Sequence, residues 1–261
     1  MKNSIPALPM LAILWAFELG ARAMAAQTGD PKATEQWEPV PGAVVPGATV
    51  GAPPSDAIVL FDGGTLDEWI STNDHTAARW KVHDGILTVD KSAGNIETRR
   101  QFRNYQLHLE YQIPHDITGE GQARGNSGLF LASTGSGDAG YEIQILDSWN
   151  NETYVNGQAA SVYKQAPPLV NASREPGAWQ SYDVVWEAPV FDSGGKLTKA
   201  ATVTVFHNGV LVQNHTVLSG ETVFIGKPQY KPYQRAAIKL QAHGDPSAPI
   251  SFRNIWLREL P

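Results

Sequence analysis

The sequence predicts an all-β domain, a sandwich of two antiparallel sheets in the jelly-roll manner, on three observations. From Asp56 to Leu260 the apolar residues fall in short alternating or continuous runs, with almost no pattern at the helical period. Turn dipeptides such as Asp84-Gly85, Gly194-Gly195 and Asn208-Gly209 separate those runs, the last flanked by strand-like residues as a hairpin requires. The 24 Gly and 18 Pro among 261 residues favour turns over helices.

Two segments precede this body. Residues 1–26 read MKNSIPALPMLAILWAFELGARAMAA: Lys2 gives a positive start, 5–19 are mostly apolar, and Ala23-Met24-Ala25 fits the small-x-small cleavage rule. A membrane span needs about 20 uninterrupted apolar residues, and Glu18 and Arg22 interrupt this run. A cleaved export signal is expected, with no span left after its removal. Export of a chain without cysteine fits a bacterial periplasm or exterior, so a periplasmic or secreted location is expected. Residues 27–55, rich in Pro, Gly, Ala and Val without periodicity, read as a linker or an arm laid along the surface. The domain proper is expected at 56–261.

Within it, strands are expected near 86–89, 105–113, 127–132, 141–146, 182–186, 202–207, 210–212, 237–242 and 250–257. This many short strands without helical spacers indicates an antiparallel sandwich or jelly roll. No internal repeat is visible. A 42% hydrophobic content supplies a packed core, and a net charge of −6 argues against nucleic-acid binding, which needs concentrated positive charge. Without cysteine there is no disulfide, no thiolate metal site and no cysteine nucleophile.

Alternation sorts each strand's side chains between two faces. Leu107, Leu109 and Tyr111 form a core face, leaving Gln106, His108 and Glu110 opposite. Ser127, Leu129 and Leu131 face one way, Arg124 and Asn126 the other. Tyr141, Ile143 and Ile145 oppose Glu142 and Gln144, and the last run sets Lys239, Gln241 and His243 on its polar side. Were these strands adjacent, their amides, acids and imidazoles would line one concave groove. Such side chains suit a sugar, whose hydroxyls need paired donors and acceptors.

The run Glu142-Ile143-Gln144-Ile145-Leu146-Asp147 is similar to the E-x-D-x-x-E strand of retaining glucanases built on concanavalin-type jelly rolls. Gln144 replaces the central acid, and the shorter Asp147 ends the motif. Retaining hydrolysis requires carboxyls about 5–5.5 Å apart, which makes Glu142 with Asp147 a poor pair. Asp147 reads rather as a cap for the turn into Ser148-Trp149. Trp149 is a candidate stacking platform for a sugar ring.

A wider set of motifs occurs in one order: Leu60-Phe61-Asp62-Gly63 with Trp69, Gly125-Asn126-Ser127-Gly128-Leu129-Phe130, Tyr141-Glu142-Ile143-Gln144-Ile145-Leu146-Asp147-Ser148, Gly177-Ala178-Trp179-Gln180, Leu240-Gln241-Ala242-His243-Gly244, and Phe252-Arg253-Asn254-Ile255. Together they resemble the 3-keto-disaccharide hydrolase domain family over about residues 56–260. The resemblance implies a concanavalin A-like jelly roll, export, and cleavage of glycosides oxidised at C3 of the sugar. One departure stands out: family members commonly read L-Q-D-H-G, and Ala242 occupies the position of that Asp. By parity Ala242 faces the core, so a modest effect is expected.

A C3 ketone acidifies the C2 proton, so the glycoside opens by elimination of the C1 aglycone, and water then adds. That reaction needs a base, an acid and a stabiliser for the enediolate oxygen. His243 or Glu142 is expected as base and the other as acid, with Arg124 stabilising the enediolate. Asn126, Gln144 and Gln241 would hold hydroxyls, with His108, Glu110, Asp147, Trp149 and Tyr163 as further substrate contacts. A divalent ion held by His108, Glu110 or Glu142 with His243 is an alternative Lewis acid, although nothing in the spacing demands one. The partners implied are a carbohydrate substrate and a sugar 3-dehydrogenase that makes it. The competing readings are a lectin-like carbohydrate-binding module and a retaining glycosidase on unmodified glycans. His207 and His215, flanking the Asn208-Gly209 hairpin, are expected to face solvent. The 166–171 tract is read as a rigid loop that either walls the groove or simply connects.

Overall fold

A computed structural model describes residues 29–261; the export signal expected over 1–26 lies outside the described residues. The chain divides at Ala43 and Val44 into two units. The described part of the first holds one short 3-10 turn, Pro31–Thr34, capped by Asp30, whose carboxylate accepts the Lys32 amide at 3.0 Å.

The second unit, Val44–Pro261, holds all the strands found among the described residues. They are β1 (Ile58–Phe61), β2 (Trp69–Ser71), β3 (Lys81–His83), β4 (Ile86–Thr88), β5 (Ile96–Thr98), β6 (Tyr105–Gln112), β7 (Ser127–Ser133), β8 (Gly140–Ile145), β9 (Trp179–Glu187), β10 (Val190–Phe191), β11 (Leu197–Lys199), β12 (Thr202–His207), β13 (Val210–Val217), β14 (Ala237–Leu240) and β15 (Ser251–Glu259). One antiparallel sheet runs β13-β12-β9-β6-β15-β4-β3, with β1 added on β15. A second runs β2-β5-β14-β7-β8, and β10 pairs only with β11. The expected sandwich of two antiparallel sheets is what the chain forms.

The apolar faces predicted by alternation meet between the sheets. Leu107, Leu109 and Tyr111 of β6 and Val184 of β9 belong to one buried cluster with Leu129 and Leu131 of β7, Ile143 and Ile145 of β8 and Ile238 and Leu240 of β14. At roughly 25 cal/mol per Å² of apolar surface removed from water, this burial dominates the stability. Two tyrosines tie the layers through polar contacts: Tyr105 Oη donates to Leu131 O at 2.6 Å and Tyr182 Oη to Gln144 O at 2.8 Å. His207 corrects an expectation, because it lies inside this core with 1% exposure while His215 is exposed. Its ring meets Tyr111 Oη at 3.1 Å and Gln180 Oε1 at 2.9 Å, and burial, with Arg174 adding, pushes its pKa down to about 3. Alternation along β12 puts His207 on the inward face with Val203 and Val205, where its ring packs against Tyr111 and Tyr182.

Residues 44–55 belong with the sheets as an arm. Asn254 Nδ2 and Trp256 Nε1 both donate to Gly51 O at 2.8 Å, which fastens the arm to β15 on the outer face of the eight-stranded sheet. At the opposite side of the sandwich, β8 is an edge strand, and the loop through 154–166 covers that edge. Gln144 N donates to Ser161 O at 3.0 Å, Ala160 N to Gln144 O at 2.9 Å, and Tyr163 N to Glu142 O at 3.2 Å.

Candidate active site

Since Tyr141, Ile143 and Ile145 point into the core, Glu142 and Gln144 must point to the outer face of the five-stranded sheet. There they line a cavity of about 880 Å³ with Gln122, Asn126, Tyr154, Tyr163, Phe224, Gln241, His243 and Asp245 among its walls. Gly128 on the neighbouring β7 makes room for the acid: a Cβ there would stand 2.7 Å from Glu142 Oε1. The amides are cross-braced, with Gln144 Nε2 donating to Asn126 Oδ1 at 3.1 Å and Gln122 Oε1 at 3.2 Å, and Asn126 Nδ2 to Gln122 O at 2.8 Å. Gln241, just past β14, has no side-chain hydrogen bond to another described residue, and its Oε1 is buried. Its amide is free for a ligand.

Glu142 is 4% exposed, and its carboxyl has no hydrogen-bond partner among the described residues. Burial, reinforced by the Asp138 carboxylate and opposed by Lys239, raises its pKa to about 8. It therefore holds a proton at neutral pH. Lys239 is completely buried, and its Nζ donates to the carbonyls of Gly135, Gly137 and Ala139 at 3.0, 2.8 and 2.8 Å. Three acceptors on one nitrogen require an ammonium, although burial pushes its pKa down against the pull of the surrounding acids. Lys239 fixes the 135–139 loop, and with it Asp138, at the cavity wall.

His243 stands in a different electrostatic setting. Its Nδ1 lies 3.0 Å from Asp245 Oδ2, and Lys91 Nζ lies 3.2 Å from the same oxygen. Ser247 donates both its amide, at 2.9 Å, and its hydroxyl to Asp245 Oδ1. Burial works against ionising Asp245, but the hydrogen bonds from His243, Ser247 and Lys91 hold it well below the usual carboxylate range. A carboxylate only accepts, so Nδ1 carries the ring proton and Nε2 keeps its lone pair. The Asp245 amide lies 3.2 Å from the same Nδ1, a contact that the other tautomer would use; the nearer, charged partner decides the assignment.

Of the residues singled out in the sequence, Glu142, Gln144, Asn126, Gln241, His243 and Tyr163 come together on this cavity. The others do not. Arg124, expected to stabilise an enediolate, binds Asp147 instead, Nε to Oδ2 at 2.7 Å, and neither lines the cavity. Asp147 is 1% exposed and caps the Trp149 amide at 3.0 Å, the turn role expected for it. Burial raises its pKa more than the Trp149 amide and Arg124 lower it. Trp149, 42% exposed, lies off the cavity. His108 and Glu110 are on β6, in the other sheet, so their polar face is the opposite outer face of the sandwich. Parity was right for each strand, but adjacency was not: sorting faces does not say which sheet a strand joins. For the same reason the four metal candidates His108, Glu110, Glu142 and His243 form no single ligand set. Among the described residues no three His, Asp or Glu side chains are grouped to hold an ion.

The structure adds residues that the sequence reading missed. Asp245 had a signal, since an acid two residues after a histidine in a Gly turn is placed to bond back to it. At Ala242, where the resemblance implies an Asp, the amide is held by Asn95 Oδ1 at 2.8 Å and the methyl packs against the core, while Asp245 partners the histidine. Thr222, whose hydroxyl accepts the Glu142 amide at 3.0 Å, and Phe224 come from a loop with no periodicity to betray them.

Comparison with known proteins agrees with this architecture. A family model described as the 3-keto-alpha-glucoside-1,2-lyase-like domain matches residues 56–258. Among solved structures, a candidate glycosyl hydrolase from Parabacteroides distasonis is 51% identical, with a TM-score of 0.82 over 88% of this chain and 97% of its own. Two further candidate glycosyl hydrolases from the same organism share the fold at 18% and 20% identity, with TM-scores of 0.56 and 0.55. They cover 79% and 78% of this chain, and 94% and 99% of their own. No protein of curated function gives a significant match.

Proposed function

Starting from a chain that belongs to the 3-keto-alpha-glucoside-1,2-lyase-like domain family, we propose that it cleaves glycosides oxidised at C3, with His243 as base and Glu142 as acid. The observation that carries this reading is the pairing on one cavity of a proton-bearing carboxyl, Glu142, with an imidazole whose Nδ1 faces the ionised Asp245. His243 Nε2 takes the C2 proton, and the electron pair forms the enediolate on C2, C3 and O3. As the C3 carbonyl re-forms, a C1–C2 double bond is made, the C1–O bond breaks, and Glu142 protonates the departing oxygen. Water then adds in reverse: its hydroxyl goes to C1, its proton returns to Glu142, and His243 gives the C2 proton back. The free Gln241 amide, rather than Arg124, is the donor for the enediolate oxygen. Gln144 and Asn126 stay locked to each other and position the sugar.

Two features disfavour the competing readings. The retaining pair expected from the sequence, Glu142 with Asp147, is not on one site, because Asp147 lies buried against Arg124 off the cavity. Of the acids that line it with Glu142, Asp245 is bonded to His243, Ser247 and Lys91, and Asp138 accepts from Asn95 Nδ2 at 3.0 Å. A lectin-like module has no use for a buried acid whose pKa is raised to about 8. The reaction requires a sugar 3-dehydrogenase upstream to make the ketone, and we place both steps outside the cytoplasm on the strength of the N-terminal sequence.

The test mixes the purified protein with a disaccharide and, separately, with its C3-oxidised form, each with and without EDTA. Sugar release from the oxidised form alone is expected. Release from the unmodified sugar would sink the keto-dependent mechanism, and loss with EDTA would add a metal to it.

A further inference from the structure

We infer that the mouth of the cavity is an aglycone subsite for a planar aromatic group, so that aryl glycosides are the favoured substrates. This rests on reading the cavity as the site of glycoside cleavage. Phe224 is 68% exposed, yet it is not loose. Its loop is pinned at Thr222, whose amide donates to Gly140 O at 2.7 Å, and closed by Glu221 N donating to Gln229 O at 2.9 Å. Lys164 Nζ stands 4.1 Å from the centre of the Phe224 ring, donates to Phe224 O at 3.0 Å, and lies 5.3 Å from the Tyr154 ring.

Phe224 and Tyr154 line the large cavity and also a smaller one of about 260 Å³ that contains Lys164 and Asn156. Lys164 lines only the smaller, so the cation sits behind the two rings as seen from the catalytic side. An exposed ring held from behind is preorganised for a partner in front. A cation on the far face also draws π density toward itself, which favours an electron-rich ring on the near face. Gln144, Asn126 and Gln241 offer the amides for sugar hydroxyls elsewhere on the cavity wall, while Tyr154 Oη and Tyr163 Oη, 2.7 Å apart, share one hydrogen bond and keep one O–H between them for a ligand. Next to the rings in sequence, Val155 and Ile225 are 61% and 84% exposed. A second sugar would find that one hydroxyl pair as its partner there, whereas a phenolic ring finds an exposed aromatic wall to stack on.

The experiment compares kcat/KM for C3-oxidised phenyl, cyclohexyl and glucosyl glucosides on the wild type and on Phe224→Leu, which keeps apolar area and removes the ring. Binding of phenol and cyclohexanol to both proteins is followed separately by NMR. The wild type should prefer phenyl over cyclohexyl and bind phenol more tightly. In the variant the phenyl-to-cyclohexyl ratio of kcat/KM should fall about tenfold, what remains reflecting the better leaving ability of phenol, and the binding preference should fall to about unity. An unchanged ratio overturns the proposal. Equal use of phenyl and cyclohexyl glucosides overturns the proposal, as does a preference for the glucosyl substrate that depends on Phe224. If no glucoside is cleaved, the cleavage reading fails by itself: ring-dependent phenol binding would still uphold the subsite, and its absence would remove it.

Discussion

On the eight-stranded sheet, His108 holds its Nδ1 2.7 Å from Asp183 Oδ1, stacks on Trp256 at 5.4 Å and is 4% exposed. On the other face of the sandwich, His243 holds its Nδ1 3.0 Å from Asp245 and lines the cavity with its side chain 35% exposed. Both are histidine–carboxylate pairs, and what stands before the second nitrogen separates them. His108 Nε2 faces Glu110 at 3.5 Å, and the arm closes over it at Gly51, where a Cβ would lie 3.2 Å away and φ is +81°. Glu110 is in turn spent on Arg253 at 2.6 Å and Asn254 at 2.8 Å. One pair is a clamp for the arm, and the other leaves its far nitrogen open to the cavity, as the proposed base requires. A carboxylate beside a histidine fixes a tautomer; open space at the far nitrogen makes that tautomer useful.

Removing each ring should affect the protein differently on the two faces. His243→Ala should lower kcat by about 10²–10⁴-fold, the usual worth of a positioned base. His108→Ala should leave kcat within about twofold and instead cost about 1–3 kcal/mol of stability, as expected when buried partners are left unsatisfied. Steady-state kinetics with thermal unfolding of both variants decide the matter, and reversed outcomes would falsify the assignment of the two faces.

Glu142→Gln should cost activity on the same scale, with a stability effect of opposite sign. The Glu142 pKa is raised from 4.5 to about 8, so its contribution to stability is complete below pH 4.5 and is lost as pH rises through 8. The glutamine variant should therefore gain on the wild type in Tm between pH 5 and pH 9, and wild-type turnover should fall as pH passes about 8 and the acid ionises. A constant Tm difference across that range would refute the buried protonated carboxyl.

Asp245→Asn removes a charge-assisted bond of about 1.5–3 kcal/mol, roughly 10- to 100-fold in kcat. It should also shift the acidic limb of the pH–rate profile, which a purely structural residue would leave in place. The smallest effect is expected at Trp149→Ala: off the cavity, it should change KM by less than about twofold, in keeping with surface substitutions. A larger rise in KM would put a sugar platform back at that position.

How much of this was legible in the sequence depends on the range of the interaction that decides it. Period-two alternation is local, so the inward set Leu107, Leu109, Tyr111, Ile143 and Ile145 and the outward set Glu142 and Gln144 could be read directly. Which strands share a sheet depends on contacts far apart in the chain, as when β14 inserts between β5 and β7. That is why His108 and Glu110 could be assigned the correct face of their strand and the wrong side of the molecule. Arg124 failed for another reason: its partner Asp147 comes from a separate segment, and no pattern encodes an ion pair 2.7 Å long. Phe224 and Thr222 sit on a loop whose shape is set by its attachment to β8. Composition there gives no warning.

The loop that covers β8 ties two properties together. Its backbone bonds at Ala160, Ser161 and Tyr163 occupy the free edge of the five-stranded sheet, and the same few residues carry Tyr154 and Tyr163 to the cavity. An unpaired edge invites another chain to pair with it. Deleting this loop would uncover that edge and remove both tyrosines from the cavity wall, so protection of the edge and the shape of the proposed site depend on the same residues.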